Sequence, residues 1–173
     1  MRDKQAAARD ALARSGVIRL LHQYRPTLVS TIFVGLDIDG SDIDVLCEFD
    51  SAGSFCRDFS AAFGLKAGYA LAPGHGRVVG RFQQSGFDVE VYASTTPVHE
   101  QAGLRHYRVM QRLVNTGGES FQSAVRALKT KGLKTEPAIG ELLGLSGDPY
   151  EAVLAIEGWS DAEVRERLAA RHQ

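Results

Sequence analysis

The sequence predicts an α+β (α/β) fold: a small mixed β-sheet flanked by helices, with a helical C-terminal portion. Three observations carry this. Between residues 27 and 92, short apolar and alternating runs are separated by Gly, Pro, Ser and Asp turns, which is strand punctuation. One helical pattern, 52–63, interrupts those runs, so the strands cannot all be joined as hairpins. Before residue 15 and after residue 97 the apolar residues recur at helical spacing instead. No repeat, low-complexity segment or linker divides the chain, which predicts a single domain over 1–173, with sheet core and N-terminal helices in 1–97 and a helical portion in 98–173.

The elements follow in order. Residues 3–14 are rich in alanine and stop at Ser15-Gly16, a helix. Residues 17–24 give a short second helix with an apolar stripe, ended by Arg25-Pro26. Residues 27–36 are β-branched and apolar, a strand buried on both faces. Asp39-Gly40-Ser41 turns the chain into a second strand reaching Phe49. Asp50-Ser51 caps a helix over 52–63 with Phe55, Phe59 and Phe63 on one side. Residues 66–71 form a third strand, and 73–76 a loop. Strands over 77–83 and 87–92 meet at Ser85-Gly86, a hairpin. Helices are expected over 98–115, 119–131, 137–143 and 149–157, the first two separated by Gly117-Gly118. Ser160 and Glu163 have capping-box spacing and open a last helix to residue 170.

Composition narrows the function. The 173 residues suffice for a core, and a net charge of −1 supplies no basic field to hold long nucleic acid. No stretch is apolar enough to span a membrane, and the charged, alanine-rich start has no signal-peptide character. Cys47 and Cys56 fall in no CxxC pattern, so they read as reduced thiols of a cytoplasmic protein. His22, His99 and His172 have no convergent partners, and His75 sits in a loop.

The chemistry is concentrated in acids. Period 2 puts Asp42, Asp44 and Glu48 on one strand face, with Ile43, Val45 and Cys47 on the other. Asp88 and Glu90 share a face of a later strand. If the two strands are neighbours, three carboxylates converge and suit one or two Mg²⁺ ions, which prefer hard oxygen ligands and leave positions for phosphates. A calcium-loop reading from Asp37 fails because Asp42 stands where that loop needs glycine. Glu48, further along, is expected to be solvated or paired. The stripe Gln101, Arg105, Arg108, Arg112 reads as a solvated helix face, from which Arg105 and His106 could meet phosphates.

With these residues in view, the sequence resembles the nucleotidyltransferase superfamily of polymerase-β-like fold. Its members carry a Gly-[Gly/Ser] turn, then an Asp-x-[Asp/Glu] pair about ten residues on, then a third acid in an apolar strand. Here Ser30-Thr31 stands at the turn, Ile32 to Ser41 intervene, Asp42-Ile43-Asp44 follows, and the third acid falls in Phe87 to Tyr92. The resemblance implies that Asp42, Asp44 and Glu90, with Asp88 in reserve, bind Mg²⁺ (or Mn²⁺). It implies that Ser30, Thr31, Ser41, Arg105, His106 and Lys134 bind substrate phosphates. It also implies transfer of a nucleoside monophosphate from a nucleoside triphosphate to a hydroxyl-type acceptor. The match extends to Pro97-Val98, Arg105-His106 and 132–137, where the chain is similar to a bacterial subgroup of unassigned function. One departure is Ser30 in place of the glycine that lets backbone approach phosphate. A non-catalytic nucleotide- or partner-binding module and a metal-dependent nucleotide hydrolase are the alternatives the same residues allow.

Overall fold

A computed structural model describes residues 2–170 and has the mixed α+β architecture expected. The chain forms two compact units. One holds the described residues up to Phe33 with Asp39–Leu104; the other holds Val34–Ile38 with the described residues from Arg105 on.

The first unit is built on a five-stranded sheet: β1 (Thr27–Leu28), β2 (Ile43–Glu48), β3 (Ala70–Gly74), β4 (Arg77–Gln84) and β5 (Phe87–Ser94). Its spatial order is β1-β2-β5-β4-β3. Only β2 and β5 are parallel; every other pair is antiparallel. The parallel pair needs a crossover, and α3 (Ala52–Phe63) lies within it. Ser51 caps α3, its Oγ accepting from the Ser54 amide at 3.3 Å. Phe55, Phe59 and Phe63 then point at the sheet, fully buried, with Phe63 stacked on Phe82 at 4.5 Å. With Ala8 and Ala11 of α1 (Arg2–Ser15) and Val17 of α2 (Val17–Leu20), they cover the sheet face that carries Ile43, Val45, Cys47, Val89 and Val91. The polar residues of the alternating strands are left on the opposite face.

Two strands differ from expectation. The run 27–36 is strand only at Thr27–Leu28, because a side chain takes over the ladder. The Val29 amide still reaches the Asp44 carbonyl, but the next acceptor, the Asp42 carbonyl, is taken by Ser30 Oγ at 2.7 Å. The chain then coils into a 3-10 turn, Thr31–Val34. The third strand lies later than 66–71, at Ala70–Gly74, and absorbs half of the expected loop. As an edge strand it tolerates Pro73, which has no amide to offer. The β4–β5 hairpin is as expected: Ser85 and Gly86 both take positive φ, 53° and 84°, the conformation of a type I′ turn.

In the second unit, the largest element is α4 (Ala102–Thr130), whose residues from Arg105 belong here. As expected, α4 is two helices that meet at a kink at Gly118 (φ 60°, ψ −155°), a geometry that suits glycine alone. The segment Val34–Ile38 is not assigned to a strand of the described sheet. Its carbonyls accept instead from α4 side chains: Gln122 to Val34 at 2.9 Å, Arg126 to Gly35 at 2.6 Å and Lys129 Nζ to Leu36 at 2.7 Å. Val34 and Leu36 thereby enter a core with Leu113, Phe121, Val125 and Ile139. Three shorter helices complete the unit: α5 (Thr135–Leu143), α6 (Pro149–Ala155) and α7 (Asp161–Ala170). Asp148 caps α6, and Ser160 with Glu163 forms the expected capping box at α7. His172 lies outside the described residues. Among the described residues, no helix is long and apolar enough to cross a membrane.

Candidate functional site

The register of β2 and β5 decides which acids can meet. Asp44 lies directly opposite Glu90 in the parallel pair. Neighbouring strands run about 4.8 Å apart, so the two side chains leave the same sheet face as neighbours. Asp42 directly precedes β2, and its carbonyl is held by Ser30. Ser30 is fully buried, and its hydroxyl is used twice, donating to Asp42 and accepting from the Ile32 amide at 3.3 Å. The turn after β1 is therefore fastened to the first acid by a side chain. Thr31 and Ser41 flank this arrangement, both half-buried.

Glu90 has a second neighbour. On its other side β4 places Arg81 opposite it, and Arg81 Nε donates to Glu90 Oε2 at 2.7 Å, with a shorter bond from the terminal nitrogen. Asp44, Glu90 and Arg81 thus form one row across three strands. Asp88, one register step away, accepts instead from Gln83 Nε2 at 2.9 Å and is exposed. Among the described residues, no three acid, histidine or cysteine side chains are gathered as a metal-holding group. In donor type the acids suit Mg²⁺, being hard oxygen: Asp44 and Glu90 are register neighbours, and Asp42 directly precedes β2. As the side chains stand, a guanidinium holds Glu90.

Glu48, at the far end of β2, is paired as expected. It sits 3.2 Å from Arg25 and accepts from the Val98 amide at 2.6 Å. It lines an open cavity of about 610 Å³ together with Tyr24, Arg25, Ser51, Arg57 and Thr95. None of the sequence-predicted site residues lines that cavity. Cys47 is excluded as a nucleophile, because burial pushes its thiol up to about 12.

The remaining expected phosphate contacts lie in the second unit. Arg105 donates to Glu157 at 2.6 Å and 3.1 Å, and this fork holds the Glu157 carboxyl below its ordinary value. His106 is buried and donates from Nε2 to the Tyr150 carbonyl at 3.0 Å. Lys134 is exposed at the N-cap of α5, where its side chain makes no capping bond. The stripe around Arg105 is solvated only in part: Arg108 is exposed, as expected, but Gln101 and Arg112 are not. Gln101 is buried and donates to the Cys47 and Thr96 carbonyls, both at 2.8 Å. Arg112 reaches the Ile156 and Trp159 carbonyls and Asp161. Helical spacing identifies a shared face but not what each side chain meets, and here two of the four meet backbone carbonyls near the ends of other elements.

Arg81 escaped the sequence reading, although the signal was present. Counting outward from the hairpin at Ser85-Gly86 sets it opposite Glu90.

The fold is similar to that of Cid1 poly(U) polymerase in a crystal structure with MgGTP bound: TM-score 0.62, 11% identity, 90% of this chain and 50% of that one covered. A second Cid1 structure, described for the plasticity behind its RNA terminal uridylyl transferase activity, gives a TM-score of 0.61 at 12% identity, covering 90% and 49%. The chain spans about half the length of these solved structures. At such identity the likeness establishes the fold, a nucleotidyltransferase-like α+β arrangement. No curated protein matches the sequence. A family described as a domain of unknown function (DUF4269) matches residues 10–156, and the chain belongs to that family.

Proposed function

We propose that the protein is a Mg²⁺-dependent nucleotidyltransferase, moving a nucleoside monophosphate from a nucleoside triphosphate to a hydroxyl-type acceptor. The observation that carries this reading is the register pairing of Asp44 with Glu90, just after an Asp42 fastened by Ser30. Asp42 and Asp44 would hold the ion, and Glu90 would share it. When bound, the ion neutralises phosphate charge and orients the triphosphate. Glu90 accepts the proton of the acceptor hydroxyl. The acceptor oxygen then bonds to the α-phosphorus, the bond to the bridging oxygen breaks, and pyrophosphate leaves with that electron pair. Thr31 and Ser41 offer hydroxyls to phosphate oxygens. Arg105 and His106 are not offered as phosphate contacts, because Glu157 holds the one and the Tyr150 carbonyl the other.

Uridylyl transfer to an RNA end, the activity named for Cid1, is one acceptor class to test; the small net charge favours a small molecule or a short end over a long nucleic acid. We further propose that both units serve one nucleotidyltransferase-like domain, and that the protein works in a bacterial cytoplasm, where its two free thiols stay reduced. The test is incubation with each α-labelled triphosphate, Mg²⁺ or Mn²⁺, and panels of small-molecule and short RNA acceptors. Labelled acceptor is expected, and it disappears with Asp44→Asn. Transfer undiminished in that variant would refute the mechanism. Buried Ser30 favours a second reading, a nucleotide-binding module without catalysis, because its side chain occupies the turn where the superfamily has glycine. That reading predicts calorimetric binding of a triphosphate with no labelled product from any acceptor.

A further inference from the structure

The row Asp44–Glu90–Arg81 carries an inference about control of the site, and it rests on the reading that Asp42, Asp44 and Glu90 hold a divalent ion. We propose that Arg81 is a built-in counter-cation of that site: its guanidinium pairs with Glu90 in the ion-free protein and competes with the ion for that carboxylate. Three features support this. Glu90 stands between Asp44 on β2 and Arg81 on β4, so the same carboxylate faces a metal-binding neighbour on one side and a cation on the other. Arg81 engages it with two nitrogens on one oxygen, Oε2, so the guanidinium draws charge from the same carboxylate an ion would use. The two partners differ in freedom. The Arg81 side chain is 60% exposed and the Glu90 side chain 27%, so the arginine can swing into water while the acid stays over the sheet.

An exposed pair of this kind is weak enough to be exchanged. It neutralises one of the clustered acids while no ion is present, which relieves their mutual repulsion. It also weakens ion binding, because an ion must compete with a guanidinium for its third carboxylate. Arg81 is therefore a positioning residue for Glu90.

The experiment is calorimetric titration of the full chain with Mn²⁺ alone, without nucleotide. Wild type is compared with Arg81→Gln, Glu90→Gln, the double variant and Arg77→Gln. Arg77 lies on the same face of β4 but opposite Ser94, so its removal controls for net charge. Arg81→Gln is expected to bind Mn²⁺ roughly two- to fivefold more tightly, the fold-change that loss of an exposed ion pair gives. The gain should vanish when Arg81→Gln is made in the Glu90→Gln background, and Arg77→Gln should bind as wild type does. Wild-type affinity in Arg81→Gln, or an equal gain in the Glu90→Gln background or from Arg77→Gln, overturns the role of Arg81 and leaves the carboxylate site standing. Absence of Mn²⁺ binding in both wild type and Arg81→Gln, with circular dichroism unchanged between them, overturns the site reading and this inference together.

Discussion

Removing the Ser30 hydroxyl tests how the first acid is positioned. Ser30 is fully buried, donates to the Asp42 carbonyl at 2.7 Å and accepts from the Ile32 amide at 3.3 Å. Ser30→Ala leaves both backbone groups without that partner. Each lost bond is worth about 1 kcal/mol net, and a buried group left unsatisfied costs about 1–3 kcal/mol. Because the amide bond is long and the carbonyl can relax toward water, the total expected is about 2 kcal/mol. For a chain of this length that lowers Tm by roughly 4–8 °C and moves the urea midpoint without changing the m-value. Ser30→Gly should be less stable still, by about 0.5–1 kcal/mol of extra backbone freedom in the unfolded chain. The assay is urea and thermal unfolding of the three proteins, followed by circular dichroism. A Ser30→Ala protein as stable as wild type would refute the claim that this hydroxyl fastens the turn. A glycine variant more stable than the alanine variant would instead mean that the turn prefers glycine's conformations, and that serine is tolerated rather than used.

Other perturbations have equally definite outcomes. A Cβ built on Gly80 would lie 2.3 Å from Phe59 Cζ, a ring already packed against Phe55, Phe63, Phe82 and Tyr69, so Gly80→Ala should cost roughly 1–3 kcal/mol or more, read as a lower urea midpoint. Arg112→Ala removes the donor that serves the Ile156 and Trp159 carbonyls. It should destabilise by about 1–3 kcal/mol, whereas removal of exposed Arg108 should change the unfolding midpoint little. Glu157, Asp161 and Glu163 are all held below their ordinary values, by Arg105, Arg112 and the Ser160 backbone amide respectively. The unfolded chain therefore takes up protons first as pH falls, so their contribution is present above roughly pH 4.5 and is lost below it. Thermal melts between pH 7 and pH 3 should show that loss, and Glu163→Gln should flatten part of it.

Local chemistry made much of this fold legible. The caps at Ser51, Asp148 and Ser160, the Ser85-Gly86 hairpin and the phenylalanine face of 52–63 depend on residues within one or two turns of each other, and each is found where the sequence places it. The failures share a cause. The run 27–36 has strand composition, yet a serine hydroxyl competes for the ladder and three α4 side chains take over the carbonyls that follow. The stripe from Gln101 to Arg112 has the spacing of a solvated face, yet two of its members are spent on distant carbonyls. In each case the deciding partner lies far along the chain, beyond what periodicity can report.

The candidate site divides along the same line. Its two halves differ in how far apart their residues lie in the chain. Arg81 and Glu90 are joined by a two-residue turn, so their pairing follows from the hairpin alone: Gln84 meets Phe87, Gln83 meets Asp88, and Arg81 meets Glu90. Asp44 and Glu90 are joined through a helix and two strands, and nothing local fixes whether Asp44 meets Asp88 or Glu90. That register is set by burial. Ile43, Val45 and Cys47 must share a covered face with Val89, Val91 and Ala93, and the phenylalanines of α3 cover it. A slip of one residue would turn three apolar side chains outward and three polar ones into the core. A slip of two would keep the faces but put Asp88 opposite Asp44 and move Glu90 away from it. The hydrophobic pattern thus excludes odd slips, while the packing of α3 and the short loops selects among even ones. Glu90, not Asp88, faces Asp44 for that reason: the core on the other side of the sheet sets which acid is the register neighbour.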